Sequence, residues 1–215
     1  SETYLGQRKN ATAIQGVTPI AGASSVVTTF QADRKISFKK RLEGVGSIVI
    51  KPFTGGKSIG LGTSSGADLD IEGLAQIVNT HQLLTIGDAN TNGIASSSPI
   101  SLTAPTIFIS GSDALSFAGN LTSTKNLTLD VAGNSSVGVL NLGTGSLTKK
   151  GEGILNLTAA NSYSGATNIN AGTLQLSNTG ALGTTSALNF DGGTLRFSAA
   201  ASIPSGSAVV LNSGG

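Results

Sequence analysis

The 215-residue sequence contains no cysteine, methionine or tryptophan, one histidine, two tyrosines and seven phenylalanines. Without cysteine there is no disulfide scaffold and no thiolate to bind a metal or attack a substrate. A single histidine, His81, excludes a histidine cluster for a metal ion. Charged residues make up 11 % of the chain, about half the usual share. No stretch approaches the ~18 apolar residues of a membrane-crossing helix, so no membrane span is expected in this segment. No secretory signal pattern is visible. A net charge of +2 and a mean hydropathy of +0.17 exclude the weakly hydrophobic, highly charged kind of disorder. A chain that opens without Met and stops at Leu211-Asn212-Ser213-Gly214-Gly215 reads as a fragment of something longer.

Small residues fill the space these absences leave. Glycine, serine, threonine and asparagine together supply 97 residues, or 45 %. The charge is unevenly spread. Residues 1–60 hold nine basic and three acidic residues, and residues 61–215 hold four basic and eight acidic ones. The densest basic run is Arg34, Lys35, Lys39, Lys40, Arg41. Ile36 and Phe38 alternate with these charges at a period of two, so the run reads as the solvated face of a strand. Lysine and arginine also blunt exposed sheet edges. No aromatic platform accompanies the run, so no nucleic-acid partner is expected.

Helix signals are scarce. Apolar residues come as small alternating triplets bounded by Gly, Asn, Ser and Thr, which is the pattern of short strands joined by turns. Examples are Ile48-Val49-Ile50, Leu69-Asp70-Ile71, Ile107-Phe108-Ile109, Leu127-Thr128-Leu129, Leu155-Asn156-Leu157, Leu174-Gln175-Leu176 and Leu195-Arg196-Phe197. In the apolar-x-apolar form the two outer side chains share one strand face. The steps from Ile48 to Leu69, Ile107 to Leu127, Leu155 to Leu174 and Leu174 to Leu195 are 19 to 21 residues. A period near 20 marks an array whose units bury their apolar faces only by stacking. The fold expected is all-β, a parallel β-helix (solenoid) with rungs of about 20 residues. Spacing is less regular between 71 and 107 and between 129 and 155, where loops or short extra strands are expected. A sandwich would explain the triplets but not the period. Gly and Asn suit left-handed corners, and stacked Asn, Ser and Thr suit hydrogen-bonded ladders along the axis. Leu69, Ile71, Leu74, Ile77 and Val78 mix periods, so residues 72–78 read as a short helix or an irregular rung.

Residues 146–176, SLTKKGEGILNLTAANSYSGATNINAGTLQL, resemble the autotransporter-associated β-strand repeat. The matching positions are Leu147, Lys149, Gly151, Gly153, Leu155, Leu157, Asn161, Tyr163, Gly165, Thr167, Ile169, Gly172, Leu174 and Leu176; Ala166 stands where glycine is common. Upstream, Ile71, Leu74, Ile77, Leu84-Thr85-Ile86-Gly87, Gly93-Ile94, Ile107 and Ile109 are similar to repeats of filamentous-haemagglutinin-like secreted proteins. The resemblance implies a right-handed parallel β-helix in the passenger of a type V secreted bacterial surface protein. It also implies roles in adhesion, aggregation or biofilm, with the repeat itself associated with passenger folding and export. The absence of cysteine suits passage through a narrow pore. On this basis residues 1–56 form a basic flank of capping or linker strands. Residues 57–142 carry the haemagglutinin-like rungs and 143–215 the autotransporter-associated repeat.

Parallel β-helices also carry polysaccharide lyases and hydrolases, whose chemistry needs paired carboxylates over a cleft. Asp68, Asp70 and Glu72 are the only local carboxylate cluster. They match no glycosidase or lyase signature, and they read as exposed or turn carboxylates. Asp88-Ala89-Asn90-Thr91-Asn92-Gly93 begins like a calcium loop, but Pro99 stands where the bidentate glutamate is required, so it reads as an Asx-rich turn. His81 reads as a surface or corner residue, and Tyr163 as a ring packed at a turn between rungs. Asn161, Asn168 and Asn170 read as turn and ladder residues. The sequons at Asn10, Asn120 and Asn126 carry little meaning in so Asn- and Thr-rich a chain. No catalytic, metal or cofactor residue is assigned, and no enzyme is expected. The expected function is a structural or adhesive stalk segment at the bacterial cell surface. Its partners are neighbouring repeats and, by pairing at exposed end rungs, other copies of itself. The alternative is a β-helical carbohydrate-active or glycan-binding passenger, the latter disfavoured by the shortage of aromatic rings to stack on sugars.

Overall fold

The computed structural model describes residues 2–7, 27–42, 44–62, 67–77, 81–198 and 201–212, with the backbone alone over 2–7. Arg8, Lys9, Val78 and the Asn10 sequon lie outside the described residues. Within them the chain is a β-solenoid whose strands all pair in parallel. The first face is a ten-stranded sheet. Its strands are Glu2–Gln7, Val27–Ala32, Ser47–Pro52, Leu83–Asp88, Thr106–Ser110, Leu127–Val131, Leu147–Lys150, Thr167–Ile169, Ala187–Phe190 and Ala208–Leu211. A nine-stranded sheet forms the second face and a four-stranded sheet the third. One full turn is seen in Leu83–Asp88, Ile94–Ser96 and Ile100–Ser101, after which Thr106–Ser110 stacks on the first of these strands.

Register confirms the period. Leu84, Thr106, Leu127, Leu147, Thr167, Leu188 and Val209 stand above one another, in steps of 20 to 22 residues. The alternation inside each strand produces the core. Leu127–Val131 and Thr106–Ser110 each bury every second side chain and leave the others half-buried on the outside. Phe108 is therefore the inward residue of its triplet, while Ile107 and Ile109 face outward. A second inward column reads Phe30, Ile50, Ile86, Phe108, Leu129, Lys149, Ile169, Phe190, Leu211. The narrow interior admits aromatic rings as edge-to-face pairs within a rung. Phe30 meets Phe38 at 5.4 Å and Phe108 meets Phe117 at 5.0 Å between ring centroids, the geometry favoured by ring quadrupoles.

One rung departs from the rest. On the second face, Leu69–Glu72 lies between Lys35–Ser37 and Ile59–Leu61. Ile59 pairs with Leu69 and Leu61 with Ile71, so the chain doubles back within a rung and lays two parallel strands side by side. Gly73, with φ 75°, then leads into a single 3-10 turn at Leu74–Gln76. Residues 69–77 are thus an irregular rung and a helical turn together. The insertion lengthens the step from Ile48 to its partner Leu84 to 36 residues.

Corners differ from expectation in one respect. Among the described residues every positive φ belongs to glycine and none to asparagine. Asparagine serves the turns through its side chain instead. Asn161 Oδ1 accepts from Leu140 N at 2.9 Å and Asn126 Oδ1 from Ser146 N at 3.1 Å, in each case between adjacent rungs.

Candidate functional site

The carboxylates of Asp68 and Glu72 in the irregular rung are each occupied by a lysine from elsewhere in the sequence. Asp68 accepts Ser58 N and Lys57 Nζ, both at 2.9 Å, and Glu72 accepts Lys35 Nζ at 2.5 Å, with Ser37 and Lys39 beside it. The Ser58 amide and the Lys57 ammonium hold the Asp68 carboxyl below its ordinary range. Lys35 does the same to Glu72. Both stay ionised and neither is poised to carry a proton. Asp70 shares the outward face, and its amide donates to Arg34 O at 2.8 Å. Ile36 and Phe38 are buried and Lys39 and Lys40 exposed, so the basic run is solvated, but only its Lys35 lies in a strand, Lys35–Ser37; Lys35 and Lys39 meet the Glu72 carboxylate.

The Asp88 turn closes on itself. Asp88 Oδ1 accepts Asn90 N at 2.9 Å, and Lys51 Nζ lies 3.1 Å from Asp88 Oδ2, where a calcium ion would need the carboxylate. Among the described residues no three His, Cys, Asp or Glu side chains converge to hold a metal. His81 sits at the corner before Leu83–Asp88, yet it is buried rather than on the surface. Its Nε2 lies 3.1 Å from Leu42 O, and its Nδ1 has no partner.

Gly151, Gly153, Gly165 and Gly172 sit where the rungs stack backbone on backbone. A Cβ on Gly153 would lie 2.3 Å from Gly133 O, and one on Gly165 2.4 Å from Gly145 O. Tyr163 is buried on the third face, and its hydroxyl meets Thr167 Oγ1 at 2.9 Å. Thr167 in turn donates to Thr185 Oγ1 at 3.1 Å, and burial pushes the Tyr163 phenol up to about 12. Lys149 is fully buried in the inward column. Its Nζ donates to Lys150 O at 2.7 Å, Gly151 O at 2.6 Å and Ala171 O at 3.2 Å. Burial pushes Lys149 down to about 8 against the opposing pull of Asp130 and Glu152. Sequence reasoning places Lys149 in the repeat but gives it no role. The signal is nonetheless present, since Leu147-Thr148-Lys149 continues the in-out-in alternation and puts Lys149 inside.

Outside, polar side chains form ladders. Asn189 donates to Asn168 at 2.7 Å and Asn168 to Thr148 at 3.1 Å on the first face. On the second face Ser177 bridges Asn156 at 2.7 Å and Ser198 at 2.6 Å, and Arg196 bonds Gln175. Asn168 is thus a ladder residue and Asn161 a turn residue.

Residues 147–176 match the family described as passenger-associated-transport-repeat. The match is to this segment and not to the chain as a whole. Such repeats are typical of autotransporter passenger β-helices, and the chain that carries this one is a parallel β-solenoid. No curated protein and no solved structure matches the chain significantly. Within the repeat, the matched residues divide by position. Leu147, Leu155, Leu157, Ile169, Leu174 and Leu176 fill the interior, the four glycines permit close stacking, and Lys149, Asn161, Tyr163 and Thr167 satisfy polar groups at the corners. The repeat specifies a way of stacking rungs. Among the described residues no helix is long and apolar enough to cross a membrane.

Proposed function

We propose that the chain is a stalk segment of a secreted bacterial surface protein, and that it acts mechanically in adhesion, aggregation or fibre formation. The observation that carries this reading is the continuous ten-stranded parallel sheet spanning the chain from Glu2–Gln7 to Ala208–Leu211. Each added rung extends such a sheet by ~4.8 Å while continuing the backbone pairing of the preceding rung, which suits a rod that holds other parts of a protein away from a surface. Both edge strands of the sheet, Glu2–Gln7 and Ala208–Leu211, run the same way. Because every pairing in the sheet is parallel, a further rung, whether of a longer chain or of a second copy, adds without a change of strand direction. In the last described strand Val209, Val210 and Leu211 are exposed, with Leu211 73 % accessible. Val209 and Leu211 stand in register with the inward residues Leu188 and Phe190, so these two side chains await a further rung.

We read the chain as non-enzymatic because Asp68 and Glu72, in its one carboxylate cluster, are paired with lysines. Sedimentation and electron microscopy over a range of concentrations test the self-association, and filaments are expected. Particles that stay monodisperse at every concentration would refute that part. Display of the segment on a non-adherent cell, with and without residues 143–215, tests the stalk. Cleavage of any polysaccharide that Asp68→Asn abolishes would favour the carbohydrate-active alternative instead.

A further inference from the structure

Among the described residues Lys149 is the one Lys, Arg, Asp or Glu side chain buried in the interior. Its inward neighbours in the stack are Leu129 below and Ile169 above. A charge in such a column is costly unless it is fully hydrogen-bonded. Here it is. The ammonium has three protons, and three backbone carbonyls receive them. Two carbonyls, Lys150 O and Gly151 O, belong to the corner that follows the strand. The third, Ala171 O, belongs to the next rung. The two corners are stacked glycine on glycine: Gly151 has φ 73° and Gly172 φ 61°, and a Cβ on Gly172 would lie 2.5 Å from both Gly151 O and Gly153 O. Turning in this way aims the three carbonyls at one point inside the coil. Two rungs below, Ser110 Oγ handles a comparable corner by donating to Asp113 O at 2.5 Å. A single hydroxyl serves one carbonyl; the Lys149 corner presents three.

We infer that the stacked corner formed by Lys150, Gly151 and Ala171 is a cation site built of backbone carbonyls, selective for a primary ammonium, and that Lys149 fills it in cis and so ties its rung to the next. The Lys-x-Gly-x-Gly spacing of the repeat then has a division of labour. The lysine supplies the cation and the glycines bring the carbonyls close enough to share it. The inference concerns the corner alone and stands whether or not the rod is adhesive.

The test uses the 215-residue chain and two substitutions. Lys149→Met keeps most of the stem and removes the charge. Lys149→Ala removes both and leaves a channel the length of the stem. The methionine variant is expected to lose roughly 5 °C or more of thermal midpoint. Its Gly153 and Thr173 amides, which bond Val131 O and Gly153 O across the rungs, are expected to exchange at least about tenfold faster. Adding n-butylammonium, whose chain and head match the lysine side chain, should restore part of the midpoint of Lys149→Ala by mass action. It should do little for Lys149→Met, whose stem fills the channel. Tetramethylammonium, which has no N–H to donate, should restore neither. A methionine variant with unchanged midpoint and unchanged exchange would overturn the inference, as would equal rescue by the two ammonium ions. If the alanine variant does not fold, exchange in the methionine variant decides the matter alone.

Discussion

Glycine is required here for two reasons, close backbone stacking and left-handed conformation, and two single substitutions separate them. Gly56 has φ 75°, and a Cβ there would have nothing within 4 Å. Gly56→Ala therefore meets only the left-handed penalty for an L-residue, about 1 kcal/mol. Gly165 has no such φ, but a Cβ there would stand 2.4 Å from Gly145 O and 2.5 Å from Gly145 C. Both are backbone atoms, so they cannot rotate away as a side chain would. Accommodating the methyl group requires about an ångström of separation between rungs. That separation strains the hydrogen bonds beside it, among them Leu147 N to Ala166 O at 3.0 Å and Ser164 N to Gly143 O at 2.8 Å. Overpacking of this kind costs about 1–3 kcal/mol or more, and the loss of one net hydrogen bond adds about 1 kcal/mol. Gly165→Ala should thus cost about 3 kcal/mol. For a chain of this length that corresponds to roughly 6–12 °C in thermal midpoint, against about 2–4 °C for Gly56→Ala. Urea denaturation of the two variants side by side, followed by circular dichroism, measures the difference directly. If Gly56→Ala is the more damaging, the stacking argument fails.

Four further outcomes are expected. Leu155→Ala, which empties a fully buried site between Ser135 and Leu174, should cost about 2–5 kcal/mol in the same denaturation assay. Glu72 has a folded value below its unfolded one, so its contribution is present above the unfolded value and is lost as pH falls through the folded one; Glu72→Gln should cost less than about 1 kcal/mol near neutral pH and nothing once the carboxyl is protonated in acid, read from the variant's midpoint at each pH. Tyr163 titrates near 12 rather than 10, so the unfolded chain loses its proton first and stability falls as pH rises above about 10; spectrophotometric titration should show Tyr163 silent until the repeat opens. Lys149 behaves oppositely, since its folded value of about 8 lies below the ordinary 10.5 and its contribution rises with pH between the two; nitrogen-detected NMR should find this lysine titrating near 8.

Architecture was readable from periodicity because parallel stacking repeats the same inward positions every turn. The steps from Leu155 to Leu174 and Leu174 to Leu195 are true register pairs on one face. The step from Ile48 to Leu69 is not. Those residues sit on different faces, and their 21-residue spacing arises because the chain doubles back there. The irregularity between Leu129 and Leu155 also comes from a change of face, since the two triplets belong to the first and second faces. A strand period fixes which side chains point inward, but three faces share that period, so spacing alone does not say which face a triplet joins. The long-range polar pairs were out of reach for a related reason. Lys35 and Glu72 are 37 residues apart, and they meet only because Leu69–Glu72 is inserted directly beside Lys35–Ser37. Likewise, a lone histidine in a polar-looking stretch gave no hint that the Leu42 corner would bury it. Lys149 was legible in its alternation but defied the rule that lysine faces water; only the glycine-built corner reconciles the two.

Along the axis the rod changes how it ties one rung to the next. Between residues 33 and 88 the external ties include ion pairs: Lys35 and Lys39 to Glu72, Lys57 to Asp68, and Lys51 to Asp88. From Thr148 onward they are mostly neutral amide and hydroxyl ladders, and the charge that remains at the core is the buried Lys149. Exposed ion pairs contribute little and are screened by salt, whereas neutral ladders and a buried, fully hydrogen-bonded ammonium are screened far less. The two ends should therefore respond differently to their surroundings. Salt and acid should act on the ties of the first rungs and leave residues 147–176 nearly untouched. The irregular rung lies within the charged half, where Leu69–Glu72 and Ile59–Leu61 occupy two positions on the second face against the single strand Ser47–Pro52 on the first. An extra strand on one side of a stack wedges it, so this half combines the weakest external ties with a break in regular stacking. Local opening of the rod is expected to start there and to stop at the repeat.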